Sequence, residues 1–465
     1  MPRLAWFTPL PPIKSGIVQY SCELLPALVV EHEIDLFVDG RPEQVFSPDA
    51  RIKRFSAYDF LWKNRERPYD LIVYQLGNAP CHDYMWPYLV LYPGLVVLHD
   101  GQLHHARGRM LMNQWHPRHD DYRREFWFNH PDAPADAAEL GAAGLLGSMT
   151  YLWPMLRVVV DSSRRVLVHN EWLGELIREA HPQAAVDVVE MGVTRPAPRS
   201  TARREVRTRY GIAEDAVVFT AFGKVTPEKR VREMMRALAS VAEVVPQAHL
   251  LVAGETVDYY DMKAEAEGLR LSGRVTLVGY LPDEQIDDYL AASDVCVCMR
   301  WPTSRETSAS WLRCLAAGKP TISTDLLHTV DVPTLDPRSW SVLAARLKPD
   351  DQEITGPVGV SIDIVDEHHS LKLAMRRLAA DAPLRTMLGE NAQALWNQRW
   401  RVDQMASGYR DAIDRAVAHP APESSSRAGL PTHLMVNGTE LTDRLLHDAG
   451  LSDVLDSRVW KELAE

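Results

Sequence analysis

The stretch Ala216-Val-Val-Phe-Thr-Ala-Phe-Gly-Lys-Val-Thr-Pro-Glu-Lys-Arg-Val-Arg-Glu-Met-Met-Arg-Ala-Leu-Ala-Ser-Val-Ala-Glu-Val-Val245 decides the fold. Ala216–Phe222 is a nearly continuous apolar run, which suits a strand covered on both faces rather than one half-exposed to water. A cation-rich turn containing Gly223 and Pro227 follows. Beyond it, Val231, Met234, Met235, Leu238, Val241 and Val245 recur at helix spacing. Strand, turn and helix in that order are the start of a parallel-sheet unit with helices packed on its faces.

The same succession extends in both directions. Upstream, Arg3–Thr8, Glu33–Val38, Asp70–Gln75, Leu95–His99, Arg165–His169 and Val186–Glu190 read as strands. Downstream, so do Ala248–Ala253, Arg274–Val278, Asp294–Met299 and Pro320–Thr324. At 465 residues the chain exceeds one ordinary core. The expectation is therefore an α/β protein with two doubly wound, Rossmann-like parallel-sheet domains facing across a cleft.

Arg195-Pro-Ala-Pro-Arg-Ser-Thr-Ala202 is linker-like and sets the boundary, giving domains 1–195 and 196–400. Insertions are expected at 102–147 and roughly 326–356. A helix over 401–416 and a linker with helical tail over 417–465 complete the chain.

Composition is that of a globular protein, 46% apolar and 25% charged, and the net charge of -12 argues against nucleic acid as the main partner. The chain opens as a strand rather than a signal peptide. It contains no apolar run long enough to span a bilayer, so a cytoplasmic protein is expected. The five cysteines are scattered and suggest no disulfide framework. Cys296 and Cys298 lie on one side of a strand and read as buried thiols.

In doubly wound sheets, ligands sit at the carboxyl ends of the strands, so the loops there carry the chemistry. Four such loops stand out. In Pro9-Leu-Pro-Pro-Ile-Lys-Ser-Gly16, Gly16 opens a helix where a backbone can approach a phosphate, or merely turns the chain. In Gly223–Arg230, Lys224 and Lys229, with Arg230 as a third cation, either capture a departing diphosphate or form a solvated helix start. Thr303-x-x-Glu306 has capping-box spacing, yet Glu306 could instead bind sugar hydroxyls beside the amides of Thr307, Ser308 and Ala309. In Leu98–His105, His99 ends a strand and faces the cleft. His104, His105, His116, His119, Asp120 and Asp121 fit no metal-site spacing, and no metal is expected.

With these motifs in order, the chain resembles the retaining nucleotide-sugar glycosyltransferases of glycosyltransferase family 4, which have the GT-B fold, over roughly residues 1–416. The resemblance rests on Pro9–Gly16 with Tyr20-Ser-x-Glu-Leu-Leu-Pro26, and on Gly223-Lys-x(4)-Lys229. It rests also on Val278-Gly-Tyr-Leu-Pro282 with Ala292-Ser-Asp-Val295, and on Arg305-Glu-Thr-Ser308 through Ala316-Ala-Gly-Lys-Pro320.

The resemblance implies that Gly16, Lys224 and Lys229 meet the donor's diphosphate, with Lys224 standing where many relatives carry Arg. His99 would sit beside the transferred sugar, Glu306 would bind its hydroxyls, and the backbone near Tyr280 and Leu281 would meet the base. Relatives often carry a second Glu eight residues after the first. Here that position is Cys314, so no carboxylate contact to the ribose is expected from it. The helix around Arg399–Ala416 would cross back onto the first domain. The implied reaction is a metal-independent hexosyl transfer to a hydroxyl acceptor with retained configuration and no cofactor. The acceptor hydroxyl attacks from the face the diphosphate leaves, and a phosphate oxygen takes its proton.

Two other classes remain open: a catalytically inactive nucleotide-sugar-binding scaffold, for which Cys314 is the hint, and a nucleotide-sugar epimerase on the same fold. The acceptor is a sugar, a lipid-linked molecule or a small metabolite. Arg107, Arg109, Arg118, Arg123 and Arg124, mixed with Trp115, Phe126, Trp127 and Phe128, either rest peripherally on an anionic membrane or form a packed lid.

Overall fold

The computed structural model describes residues 1–113, 115–326, 329–343, 356–422 and 429–435, with 450. Two all-parallel sheets organise them, as two α/β domains. The first holds β1 (Arg3–Phe7), β2 (Glu33–Val38), β3 (Lys53–Ser56), β4 (Leu71–Leu76), β5 (Leu95–Leu98), β6 (Arg165–Val168) and β7 (Val186–Val188), in the order β3-β2-β1-β4-β5-β6-β7. The second holds β8 (Val218–Phe222), β9 (His249–Ala253), β10 (Val275–Gly279), β11 (Val295–Cys298), β12 (Thr321–Thr324) and β13 (Gly359–Ile362), in the order β10-β9-β8-β11-β12-β13.

Both faces of each central strand are buried. In β1, Leu4 and Trp6 enter one apolar cluster while Ala5 and Phe7 enter the cluster on the opposite face. That two-sided burial is why the strand sequences read as unbroken apolar runs.

The expected strands are present with ends shifted by one or two residues, and two strands were not foreseen. Lys53-Arg-Phe-Ser56 pairs only with β2 at the sheet edge and stays partly exposed, so it lacks an apolar signature. Gly359-Val-Ser-Ile362 is fully buried, but its glycine and serine hide it.

In each sheet the chain reverses its winding beside the first strand: β1 lies between β2 and β4, and β8 lies between β9 and β11. The loops after β1 and β4, and those after β8 and β11, therefore splay apart and leave a crevice.

The helix Val402–Ala418 lies against the helix Gly16–Leu28 of the first domain. Tyr20 and Tyr409 join hydroxyl to hydroxyl there, and both rings are buried. The chain leaving the first domain is held as well: Val193 N–H donates to Trp400 O at 2.9 Å, and Trp396 Nε1 donates to Val193 O at 3.3 Å.

The first insertion folds into the helices His104–Leu111, His119–Asn129 and Ala137–Ala142 around Leu111, Tyr122, Phe126 and Ala138. Its arginines are paired with carboxylates, one of them outside the insertion. Arg107 pairs with the buried Glu125, Arg109 with Asp83 at 2.6 Å, and Arg123 with Glu139 at 2.7 Å. Arg118 and Arg124 share Asp121 at 2.7 and 3.2 Å. Phe126 is buried at the centre of this packed subdomain, and its outer arginines Arg118 and Arg124 remain exposed. Trp115, 78% exposed, and Leu145, 67% exposed, project from its surface.

Beyond the crossing helix, Leu430 and Leu434 bury themselves in the first domain, and His433 Nε2 lies 3.0 Å from Glu125 Oε2. The expected helices of 441–465 fall outside the described residues.

Candidate active site

The turn after β8 is shaped by Gly223, whose φ of 98° favours glycine. Gly254, after β9, packs so tightly there that a Cβ would strike the Gly223 carbonyl. The short helix Pro227–Lys229 then turns the Lys229 side chain back over Gly223. Burial, and next the Arg300 guanidinium, push the ammonium of Lys229 down to about 8, while Cys298 and Glu306 work in the other direction. A lysine that shifts this way gains most when an anion arrives.

The loop after β11 carries Glu306. Arg305 adopts a left-handed φ of 63°, uncommon for a residue with a side chain. Glu306 Oε1 pairs with Arg300 Nη1 at 2.5 Å, and Glu306 Oε2 accepts from Thr303 Oγ1 at 3.0 Å. Glu306 is no helix cap: the helix Ala309–Ala316 is capped by Ser308, whose hydroxyl accepts from Trp311 N–H at 3.3 Å. The capping-box reading of Thr303 and Glu306 is thereby corrected, because the helix begins five residues later than it requires.

These loops border two adjoining cavities. One of about 450 Å³ is lined by Lys229, Arg300, Glu306, Thr307 and Ser308. The other, about 700 Å³, is lined by Gly16, Lys224, Tyr280, Leu281 and Ala309. Phe222, Gly223 and Ser310 border both. Gly16 opens its helix behind Ser15, which caps by accepting from Ile17 N–H at 3.3 Å. Across the cleft, Lys14 Nζ stands 3.8 Å above the Tyr280 ring.

Two sequence-derived residues fall elsewhere. Arg230 also takes a left-handed φ, 59°, and its guanidinium is held by Glu367, with Nε 2.8 Å from Oε1, so it lines neither cavity. His99 is buried behind the cleft wall, its Nε2 2.6 Å from Gln75 Oε1 and its ring between Tyr20 and His169. Burial, then His169, hold it well below the ordinary imidazole value, so it is neutral.

Three features escaped the sequence reading. Asp100, the next residue after His99, meets the loop bearing Glu306. Its Oδ2 accepts from Asn78 N–H at 2.8 Å, and the neighbouring Gly101 N–H donates to Ser304 O at 2.7 Å. Burial, followed by the Glu306 carboxylate, pushes Asp100 up to about 7. Asn170 Nδ2 donates to Arg305 O at 3.3 Å, tying the first domain to the same loop. Lastly, Cys314 is fully buried, and its neighbour Arg313, paired with Glu23 of the first domain, lines the 700 Å³ cavity with Ala309 and Ser310. Helix phase alone separates 313 from 314, and counting from Glu306 cannot fix that phase. Among the described residues no cluster of three or more His, Cys, Asp or Glu is arranged to hold a metal.

Residues 202–332 match the family described as glycosyl transferases group 1. Over 187 residues the chain is 22% identical to an alpha-monoglucosyldiacylglycerol synthase of Streptococcus pneumoniae, covering 39% of this chain and 42% of that protein. The match thus spans less than half the length of that relative. Two solved structures share the arrangement of nearly the whole chain. One is the sucrose-phosphate synthase of Thermosynechococcus elongatus, with TM-score 0.60, 14% identity, and 90% and 100% of the two chains covered. The other is Anabaena HepE in complex with UDP and glucose, with TM-score 0.58, 15% identity, and 89% and 100% covered. The fold is GT-B, and the second domain carries the group 1 glycosyltransferase match.

Proposed function

We propose that this protein moves a hexose from a nucleoside diphosphate sugar to a hydroxyl acceptor, with retention of configuration and without a metal, in glycoconjugate or polysaccharide synthesis. The observation that carries this reading is the meeting of two cavities at Gly223 and Ser310, with Lys224 on the larger side and Lys229 on the smaller. The nucleotide lies in the larger cavity, with its base against Tyr280 and Leu281 and its diphosphate over Gly16, Lys224 and the amide of Ala309. The sugar enters the smaller one, where Glu306, fixed by Arg300 and Thr303, accepts from its hydroxyls.

Charge that builds on the leaving diphosphate is met by Lys229 in a largely dry setting, where an ammonium stabilises it more than water does. Glu306 is already engaged by two donors and binds rather than attacks. The acceptor hydroxyl approaches on the Asp100 side and delivers its proton to the departing phosphate. HepE was solved with UDP and glucose, which makes UDP-glucose the first donor to test. A lipid acceptor, such as the diacylglycerol in the pneumococcal relative's name, would meet Leu145, Met149 and Leu152, all exposed in the segment beside Thr150 and Tyr151.

Calorimetric titration with UDP-, GDP- and ADP-sugars, followed by donor hydrolysis, tests the reading. One donor should bind and turn over. Lys229→Ala should lower turnover at least tenfold with folding intact, and wild-type turnover in that variant refutes its role. Binding without turnover, even with acceptor extracts, favours the inactive scaffold.

A further inference from the structure

Three of the five cysteines converge beneath the candidate active site, and the proposed reaction uses none of them. Cys296 and Cys298 alternate along β11 with their thiols toward the helix Ala309–Ala316, where Cys314 packs against them. Cys298 Sγ lies 4.0 Å from Cys314 Sγ. Cys296 and Cys314 are fully buried, whereas Cys298 keeps some exposure and lines the 450 Å³ cavity together with Lys229.

We propose that Cys298 is a peroxide-reactive thiol inside the donor cavity, that Cys314 is its resolving partner, and that joining the two sulfurs shuts the site reversibly.

Access sets the order of events. A small oxidant entering the cavity reaches Cys298 and not the two buried thiols. The surroundings favour the same sulfur, since the thiolate is the reactive form. The Cys314 contact and then the Lys229 ammonium pull the Cys298 thiol below its ordinary value against the effect of burial. Burial pushes Cys22 up to about 11, and Cys81 and Cys314 are raised as well.

The chemistry closes with peroxide as the only co-reactant. The Cys298 sulfur attacks one peroxide oxygen, the O–O bond breaks, and water leaves, giving a sulfenic acid. The Cys314 sulfur then attacks the Cys298 sulfur, the S–O bond breaks, and the hydroxyl leaves as a second water with the Cys314 proton. Two thiols have lost two electrons, and the peroxide has been reduced to water. A disulfide needs the sulfurs about 2.0 Å apart, so they must close roughly half of their present separation.

That movement draws on the helix whose start borders both cavities, and it alters the surroundings of Lys229. Donor affinity should therefore fall. The link to donor binding rests on the function proposed above; the thiol chemistry does not.

The test uses the full chain treated with hydrogen peroxide and mapped by peptide mass spectrometry. The expected product is a Cys298–Cys314 cross-linked peptide that dithiothreitol reverses. Cys314→Ser should stop at a dimedone-trapped sulfenic acid on Cys298, and Cys298→Ser should give neither product while melting like wild type. Oxidation confined to Cys22 or Cys81, or a Cys298–Cys296 link, overturns the assignment. UDP-glucose titration of the reduced and oxidised protein should show at least tenfold weaker binding after oxidation, restored by dithiothreitol. Equal binding overturns the switch. A reduced protein that binds no nucleotide sugar counts against the donor reading, and the cross-link map then decides the thiol pair alone.

Discussion

Asp100 and Glu306 bring two carboxylates from different domains to one side of the cleft, and burial first, then the Glu306 charge, pushes Asp100 up to about 7. An unfolded aspartate titrates near ~3.9. Between those values the folded chain holds a proton that the unfolded chain has released. This group's contribution therefore erodes stability as pH rises from about 4 to about 7, and above that the full penalty applies. Asp100→Asn keeps an acceptor for Asn78 N–H and removes the charge. The variant should melt several degrees above wild type at pH 8 and converge with it below pH 4, read by thermal denaturation across that range. A constant difference at every pH would mean that Asp100 titrates normally. Legibility at this scale followed charge: the sequence picked out Lys224, Lys229 and Glu306 because cations or carboxylates at a strand-to-helix turn require a reason. His99 and Arg230 line neither cavity, and neither a strand's last inward residue nor a left-handed turn is marked by residue type.

The helix Ala309–Ala316 is short, so its cap matters. Ser308 satisfies Trp311 N–H and also lines the smaller cavity. Ser308→Ala should cost about 1 kcal/mol, measured by urea unfolding, and should weaken donor binding as the first turn frays. An unchanged urea midpoint would assign the cap elsewhere. Helix ends of this kind are partly legible: Gly318, at φ 65°, closes the helix just before Pro320, as the sequence leads one to expect. The start is harder, since Thr303 and Ser308 are equally good caps by type. What separates them is the turn at Arg305, which carries the chain out of helical geometry between the two.

Domain closure depends on contacts between distant parts of the chain. Tyr409 is fully buried against Trp6, with ring centroids 6.1 Å apart, and it bonds Tyr20 on the helix that Gly16 opens. Tyr409→Ala should therefore destabilise by roughly 3–5 kcal/mol, and Tyr409→Phe by about 1 kcal/mol, both read by urea unfolding. The Ala variant should also raise the donor KM, because the crossing helix steadies one wall of the cleft; equal stability in both variants would show the ring to be unimportant there. The sequence by itself determined the two doubly wound sheets and which turns lie at their carboxyl ends. Two-sided burial writes itself as apolar runs, and parallel strands require helices between them. Only the tertiary structure decided which neighbours those turns meet: Asp100 beside Glu306, Arg313 rather than Cys314 on the cavity, Cys298 beside Lys229. Such pairings depend on helix phase and on the approach of two domains far apart in sequence, and no local pattern of residues encodes either.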